Sequence, residues 1–322
     1  MAIRDIWVLA DDRAGNRSQC LGVAQALGLP YLTVNLAYTA AAALPNYLMG
    51  ASFGGLTKDT RIALSPPWPD LIITAGRRTA PVARHIKALS DGHCFVVQVM
   101  HPGGAGIEEL DLVCVPRHDQ IPLAPNMMAI TGAPHGLSPQ VLQDAGALWQ
   151  ARFDPLPRPW IALIVGGGTK RKGFPEAMAR DLGRRANQLA KQAGGSLLVT
   201  TSRRTGAAAQ PLFAEITVPS FVFRWGDTGD NPYRGYLALA DHLIVTGDSV
   251  SMCSEACAAH GTVHIFAPKG FAAHKHTVLH QQLYEAGYAR PLDDTLTVLS
   301  HPPLNAAVEI AAEIRRRIGL SG

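Results

Sequence analysis

The chain has 322 residues, more than one ordinary hydrophobic core serves, which sets an expectation of two domains of roughly 150 residues each. An apolar fraction of 47% with 17% charged residues excludes wholesale disorder. A net charge of +4 is too mild to point to nucleic acid; it suits anionic small ligands or an anionic membrane surface.

The first predicted element is the strand IWVLA (6–10), entering the loop DDRAGN; its apolar run is too short for a secretory signal. Residues 18–57 carry no charged side chain, yet Pro30, Pro45 and several glycines exclude a spanning helix. Within them AAALPNYLMGASFGGL (41–56) offers Leu44, Tyr47, Leu48, Met49 and Phe53 as an apolar surface for a bilayer interface or, equally, for core packing. Further strands are expected at 71–74, 95–100, 112–115 and 127–131. Runs apolar on both faces and separated by helical patterns indicate parallel strands covered on both sides, so residues 1–152 read as a doubly wound α/β domain. RFDPLPRPW (152–160) is stiff and extended, and the domain boundary is placed there.

The alternation then restarts. Strands are expected at 161–168, 196–202, 221–225, 242–246 and 263–268, with a helix over 175–193. Residues 160–302 make a second Rossmann-like domain, and 303–322 a terminal helix that packs back on the first. The expected fold class is therefore α/β, two Rossmann-like doubly wound domains facing across a cleft.

Five stretches of the second half carry chemistry. In IALIVGGGTKRKGF a buried strand ends in Gly166, Gly167 and Gly168, which let backbone N–H groups approach a diphosphate; Thr169, Lys170, Arg171 and Lys172 follow. This is neither a Walker A loop nor a GxGxxG fingerprint. TTSRRT brings Arg203 or Arg204 toward the same place, where arginine pairs bidentately with phosphate. Trp225 closes a strand where a nucleotide base would lie, or simply packs. In VTGDSVSMCSEA, Gly247 permits a sharp turn, Asp248 or Ser249 caps the next helix, Ser251 lies in its first turn, and Glu255 can accept hydrogen bonds from sugar hydroxyls. Lys275 and His276 are placed to touch a sugar. His276 and His280 have helical metal-ligand spacing, but no HExxH motif accompanies them, so no metal is expected.

In the first half, Asp12 and His101 end strands and are the candidate acceptor bases; their plain alternatives are helix capping for Asp12 and turn shaping before Pro102 for His101. Five cysteines without a CxxC pair suggest no disulfide framework and fit a reducing cytoplasm.

These positions resemble the donor half of GT-B glycosyltransferases, most nearly the family of the lipid II N-acetylglucosaminyltransferase MurG. The match lies in Gly166 to Gly168 and in Gly247, Ser249, Ser251, Ser254, Glu255 and Ala256. The resemblance implies a nucleoside diphosphate sugar donor, a UDP-sugar, with its diphosphate over the small residues and its ribose on Glu255. It implies no bound metal or resident cofactor. Over its whole length the chain is similar to bacterial members of the "elongated mitochondria" fission-protein family, through WVLADDRAGNRSQ, LIITAGRRT, VQVMHP, GGGTK, TTSRRT, NPYRGYLALAD and VTGDSVSMCSEA. Two departures stand out. Asn16 falls where the lipid II enzyme has a histidine, and His276 where an acidic residue is usual.

The expected function is transfer of a sugar to a membrane-associated, lipid-linked or glycan acceptor by a cytoplasmic protein that touches the inner membrane peripherally. The fission-protein resemblance keeps a non-catalytic adaptor open, and the shared donor site keeps open a sugar-nucleotide epimerase. The lack of GxGxxG argues against a nicotinamide oxidoreductase.

Overall fold

The computed structural model describes residues 5–168 and 173–320. The chain divides into two compact units, Met1–Gly136 with Asn305–Gly322, and Leu137–Leu304.

The first unit is a parallel sheet of β1 (Ile6–Ala10), β2 (Leu32–Asn35), β3 (Leu71–Ala75), β4 (Phe95–Val99), β5 (Leu112–Pro116) and β6 (Met127–Ile130), in the order β2-β1-β3-β4-β5-β6. The central strands are buried along their whole length, as continuous Val, Ile and Leu runs require when helices cover both faces. Those helices are α1 (Ala14–Leu27), the short α2 (Asn46–Met49) and α3 (Lys58–Ala63), and α4 (Ala80–Leu89). Of the apolar residues in 41–56, Leu44, Tyr47 and Leu48 are exposed, whereas Phe53 is half-buried and packs edge-on against His85.

The second unit begins with α5 (Pro139–Phe153), not after the proline run, so the boundary expected at 152–160 falls earlier. The reason is packing. Trp149 and Phe153 of α5 form one aromatic cluster with Trp160, Phe221 and Tyr236, all belonging to the second unit. The prolines instead carry the chain from α5 into β7 (Trp160–Val165), whose first N–H donates to Asp241 at 2.7 Å.

After β7 come α6 (Glu176–Gln192), β8 (Ser196–Thr201), α7 (Ala209–Phe213), β9 (Ser220–Phe223), α8 (Tyr233–Leu239) and β10 (His242–Thr246). The unit closes with α9 (Val250–Ala256), β11 (Thr262–Phe266), α10 (His274–Glu285) and β12 (Ala289–Pro291). Its parallel sheet has the order β12-β11-β10-β7-β8-β9. The chain then returns to the first unit as α11 (Ala306–Ile318), whose Ile310 and Ile314 share a core with Val23 and Leu27 of α1; Arg315 donates to Leu27 O at 2.7 Å. All five cysteines are free and buried. Among the described residues no helix is long and apolar enough to cross a membrane.

Candidate functional site

In an open parallel sheet, ligands bind beyond the carboxyl ends of the strands, where the strand order reverses. In the second unit that reversal lies between β7 and β10. The loop leaving β7 is Gly166-Gly167-Gly168, and the turn leaving β10 is Gly247-Asp248-Ser249. Two stretches some 80 residues apart, picked out by composition, thus meet at one point.

Gly166 N–H donates to Thr246 Oγ1 at 2.7 Å, and Gly167 N–H to Asp248 Oδ2 at 3.0 Å. The same Oδ2 receives Arg204 Nη2 at 2.8 Å. Arg204 follows β8, which flanks β7 on the side away from β10, so the ion pair crosses over the end of β7. The crossing explains the glycines: a Cβ on Gly166 would lie 2.3 Å from Asp248 Oδ1, and one on Gly167 2.1 Å from Arg204 O. Gly247 has a similar cause, since its Cβ would lie 2.4 Å from the His280 ring. Asp248 is only 2% exposed, and its Oδ1 has no hydrogen-bond partner among the described residues. Both arginines are exposed, and Arg204 is the one that pairs with Asp248.

Ser249, not Asp248, caps α9, its side chain accepting from Met252 N–H at 3.4 Å. Ser251 is half-buried in the first turn. Glu255 Oε2 accepts the Tyr233 hydroxyl at 2.6 Å. Burial pushes the Glu255 pKa up, while that bond and Arg234 pull it back. Trp225 is 64% exposed just past β9, its N–H tied to Thr201 Oγ1 at 2.9 Å. Its ring is free to stack rather than committed to the core. Lys275 is exposed in the first turn of α10. Beside it His276 is half-buried; burial and Lys275 push its pKa down, with Asp248 acting in the opposite direction. Thr169 and Lys170 lie outside the described residues.

The first unit has its own reversal between β1 and β3. Asp11, buried after β1, accepts Asn16 Nδ2 at 2.8 Å and also pairs with Arg78 from the loop after β3. Asp12 is exposed and accepts Arg78 Nη1 at 3.2 Å, and that bond holds its pKa below the ordinary carboxylate value. It does not cap α1, whose N-cap position is Arg13 and which has no side-chain cap. His101 Nδ1 accepts Gly103 N–H at 3.1 Å, so the neutral ring carries its proton on Nε2 and offers a donor, not a base. The preceding Met100 has a φ of 63°, unusual for a residue with a side chain. Gln98 Nε2 holds that turn by donating to Gly76 O at 3.0 Å and Met100 O at 3.3 Å.

Sequence reasoning missed Arg78, Thr205 and Tyr233. A signal for the first two was present: TAGRRT (74–79) and TTSRRT (200–205) are near repeats, each following a strand. Tyr233 had no such signal, because its partner is fixed by packing. Among the described residues no group of three or more histidine, cysteine or acidic side chains is placed to hold a metal ion.

Residues 14–318 match the family model described as Mitochondrial fission ELM1. A Rickettsia prowazekii (strain Madrid E) protein described as Uncharacterized protein RP120 is 30% identical, covering 97% of this chain and 98% of its own. Among solved structures, UDP-GlcNAc 2-epimerase from Methanocaldococcus jannaschii aligns over 99% of this chain and 100% of its own, with a TM-score of 0.57 at 11% identity. MurG from Acinetobacter baumannii aligns over 97% and 100%, with a TM-score of 0.50 at 15% identity. At such identities the likeness is one of fold: the α/β architecture shared by GT-B glycosyltransferases and UDP-sugar epimerases.

Proposed function

The chain belongs to the mitochondrial fission ELM1 family, and from that premise we propose that it is a glycosyltransferase whose second unit binds a nucleoside diphosphate sugar, a UDP-sugar, for transfer to a cell-envelope acceptor. One observation above all supports this reading: the glycine loop after β7 and the turn after β10 meet at the sheet's reversal, linked through Gly167 N–H and Asp248. In the proposal the diphosphate lies over Gly166 to Gly168, with Lys170 and Arg204 meeting the charge that grows on it as the sugar bond breaks. Glu255 takes the ribose, Trp225 the base, and Lys275 with His276 the sugar.

The acceptor is assigned to the strand ends of the first unit. Asp12 is the preferred proton acceptor, since it is exposed and ionised; Arg78 makes it a weak base. The exposed Leu44, Tyr47 and Leu48 suit peripheral contact with a membrane that carries a lipid-linked acceptor.

A non-catalytic adaptor is the second reading, and a specific feature favours it. Gly167 N–H and one Arg204 nitrogen, groups that would bind an anion at the reversal, are already engaged by Asp248. Calorimetric titration with UDP and UDP-sugars separates the two. The enzyme reading expects binding that Glu255→Ala or Lys170→Ala weakens about tenfold or more, the worth of one or two lost polar contacts. Absence of binding, or binding indifferent to both changes, supports the adaptor. Donor consumption that proceeds without an acceptor would indicate an epimerase.

A further inference from the structure

The hydrogen bond between Tyr233 and Glu255 joins the first turn of α8 to α9 through side-chain tips alone. No backbone pairing depends on it. Both ends are nevertheless held firmly. Tyr233 N–H donates to Asn231 Oδ1 at 3.0 Å, and α8 lies so close to α5 that a Cβ on Gly235 would be 2.5 Å from the Trp149 ring. Ser254, next to Glu255, donates to Val250 O at 2.8 Å. A carboxylate on a flexible stem is thereby confined. Tyr233 occupies Oε2, and no second hydrogen bond to Glu255 occurs among the described residues, so Oε1 keeps its accepting capacity.

We propose that Tyr233 is a positioning residue for pentose recognition: its hydroxyl fixes the Glu255 carboxylate so that Oε1 is presented to the hydroxyl groups of the nucleotide's ribose. The proposal rests on the donor-site reading above and adds to it a residue and a division of labour between the two carboxylate oxygens.

An ionised carboxylate accepts hydroxyl hydrogen bonds better than a protonated one, so the charge state of Glu255 matters. Burial raises its pKa, and the Tyr233 bond and Arg234 on α8 lower it; Cys253 on α9 acts on Tyr233. Tyr233 itself is pushed well above the ordinary tyrosine value by burial and by Glu255, so it remains a donor at neutral pH. Removing its hydroxyl should therefore let Glu255 take up a proton at a higher pH, and the pH at which nucleotide affinity falls should rise with it.

The test titrates the full chain with UDP and with 2′,3′-dideoxy-UDP across mildly acidic to neutral pH, for the wild type, Tyr233→Phe, Tyr233→Leu and Glu255→Gln. The wild type should prefer UDP by about tenfold, as one or two ribose hydrogen bonds would give. Tyr233→Phe should cut that preference severalfold and move the affinity midpoint to higher pH, and Tyr233→Leu should move it the same way. Glu255→Gln, which keeps only a neutral acceptor, should weaken the preference and abolish its pH dependence, the titration of the phosphates being common to both nucleotides. If Glu255→Gln does so while Tyr233→Phe keeps the wild-type ratio and midpoint, the positioning role is overturned and the donor-site reading survives. Equal wild-type affinity for the two nucleotides overturns the ribose assignment and the positioning role together, and leaves the rest of the donor-site reading standing. No wild-type binding of UDP overturns the donor-site reading and the inference together.

Discussion

The two units use the same short sequence in different ways. TAGRRT after β3 and TTSRRT after β8 each end in a buried threonine that ties down strand-end carbonyls: Thr79 Oγ1 donates to Ala75 O at 3.0 Å, and Thr205 Oγ1 to Val165 O at 3.1 Å. In each the second arginine pairs with a buried aspartate, Arg78 with Asp11 and Arg204 with Asp248. The strand order sets them apart. In the first unit arginine and aspartate leave adjacent strands, β3 and β1, and a second acid, Asp12, shares the arginine. In the second they leave β8 and β10, with β7 between them, so the pair spans the glycine loop. The same ion pair thus makes an acid-rich strand end in one unit and a closely crossed, charge-balanced loop in the other. Under the proposed function, the first arrangement would serve a hydroxyl-bearing acceptor and the second a diphosphate.

The comparison can be broken most sharply at its glycines. Gly167→Ala pushes a methyl group into the backbone of Arg204 and should cost roughly 3 kcal/mol, read by urea unfolding. An unchanged midpoint would mean that the loops cross less closely than these distances require.

Acid should distinguish the units next. The strands of the first sheet contain no histidine, whereas His264 of β11 is fully buried beside His242 of β10, with ring nitrogens 3.4 Å apart. Burial, and secondarily His242, lower the His264 pKa to about 4. Because its folded value lies below the unfolded value of about 6.5, the folded state binds fewer protons. Stability is then intact above that pH and lost as pH falls from about 6.5 to about 4, by up to roughly 3 kcal/mol. A His264→Leu variant should show a flatter dependence of unfolding free energy on pH over that window.

A smaller effect is expected at the ion pairs. Arg204→Ala and Arg78→Ala each leave a buried aspartate short of a donor and should cost about 2 kcal/mol, less than for a fully buried pair because Arg204 is partly exposed. Arg203→Ala should stay within about 0.5 kcal/mol. Equal losses at Arg203 and Arg204 in thermal unfolding would refute the assignment of the pair. The smallest change has the opposite sign. Gly15, in the first turn of α1, has no atom within 4 Å of the place a methyl group would take, and Gly15→Ala should raise the unfolding free energy by about 0.5 kcal/mol.

The central strands were legible because a parallel strand covered on both faces must be apolar throughout, as LIITA and HLIVT are. The strands missed, β2 and β12, are the edges, where LTVN is half-exposed and ARP spans three residues. The boundary was misread because prolines mark stiffness, not the limit of a core; Trp149 and Phe153 decided that α5 belongs with the second unit. In the candidate site, the glycines that meet at the strand-order reversal were legible by residue type and position after strands. That Asp248 takes Gly167 N–H and Arg204, that Ser249 is the cap, and that His101 Nδ1 is occupied by its own turn were not.

By itself, then, the sequence determined two parallel α/β units and the strand ends at which chemistry gathers, because burial on both faces and glycine at close approaches are written in residue type. Only the tertiary structure decided which side chains are spent on one another. Pairings such as Arg204 with Asp248 and Tyr233 with Glu255 join positions that become neighbours through strand order and helix packing, and neither leaves a periodicity in the chain.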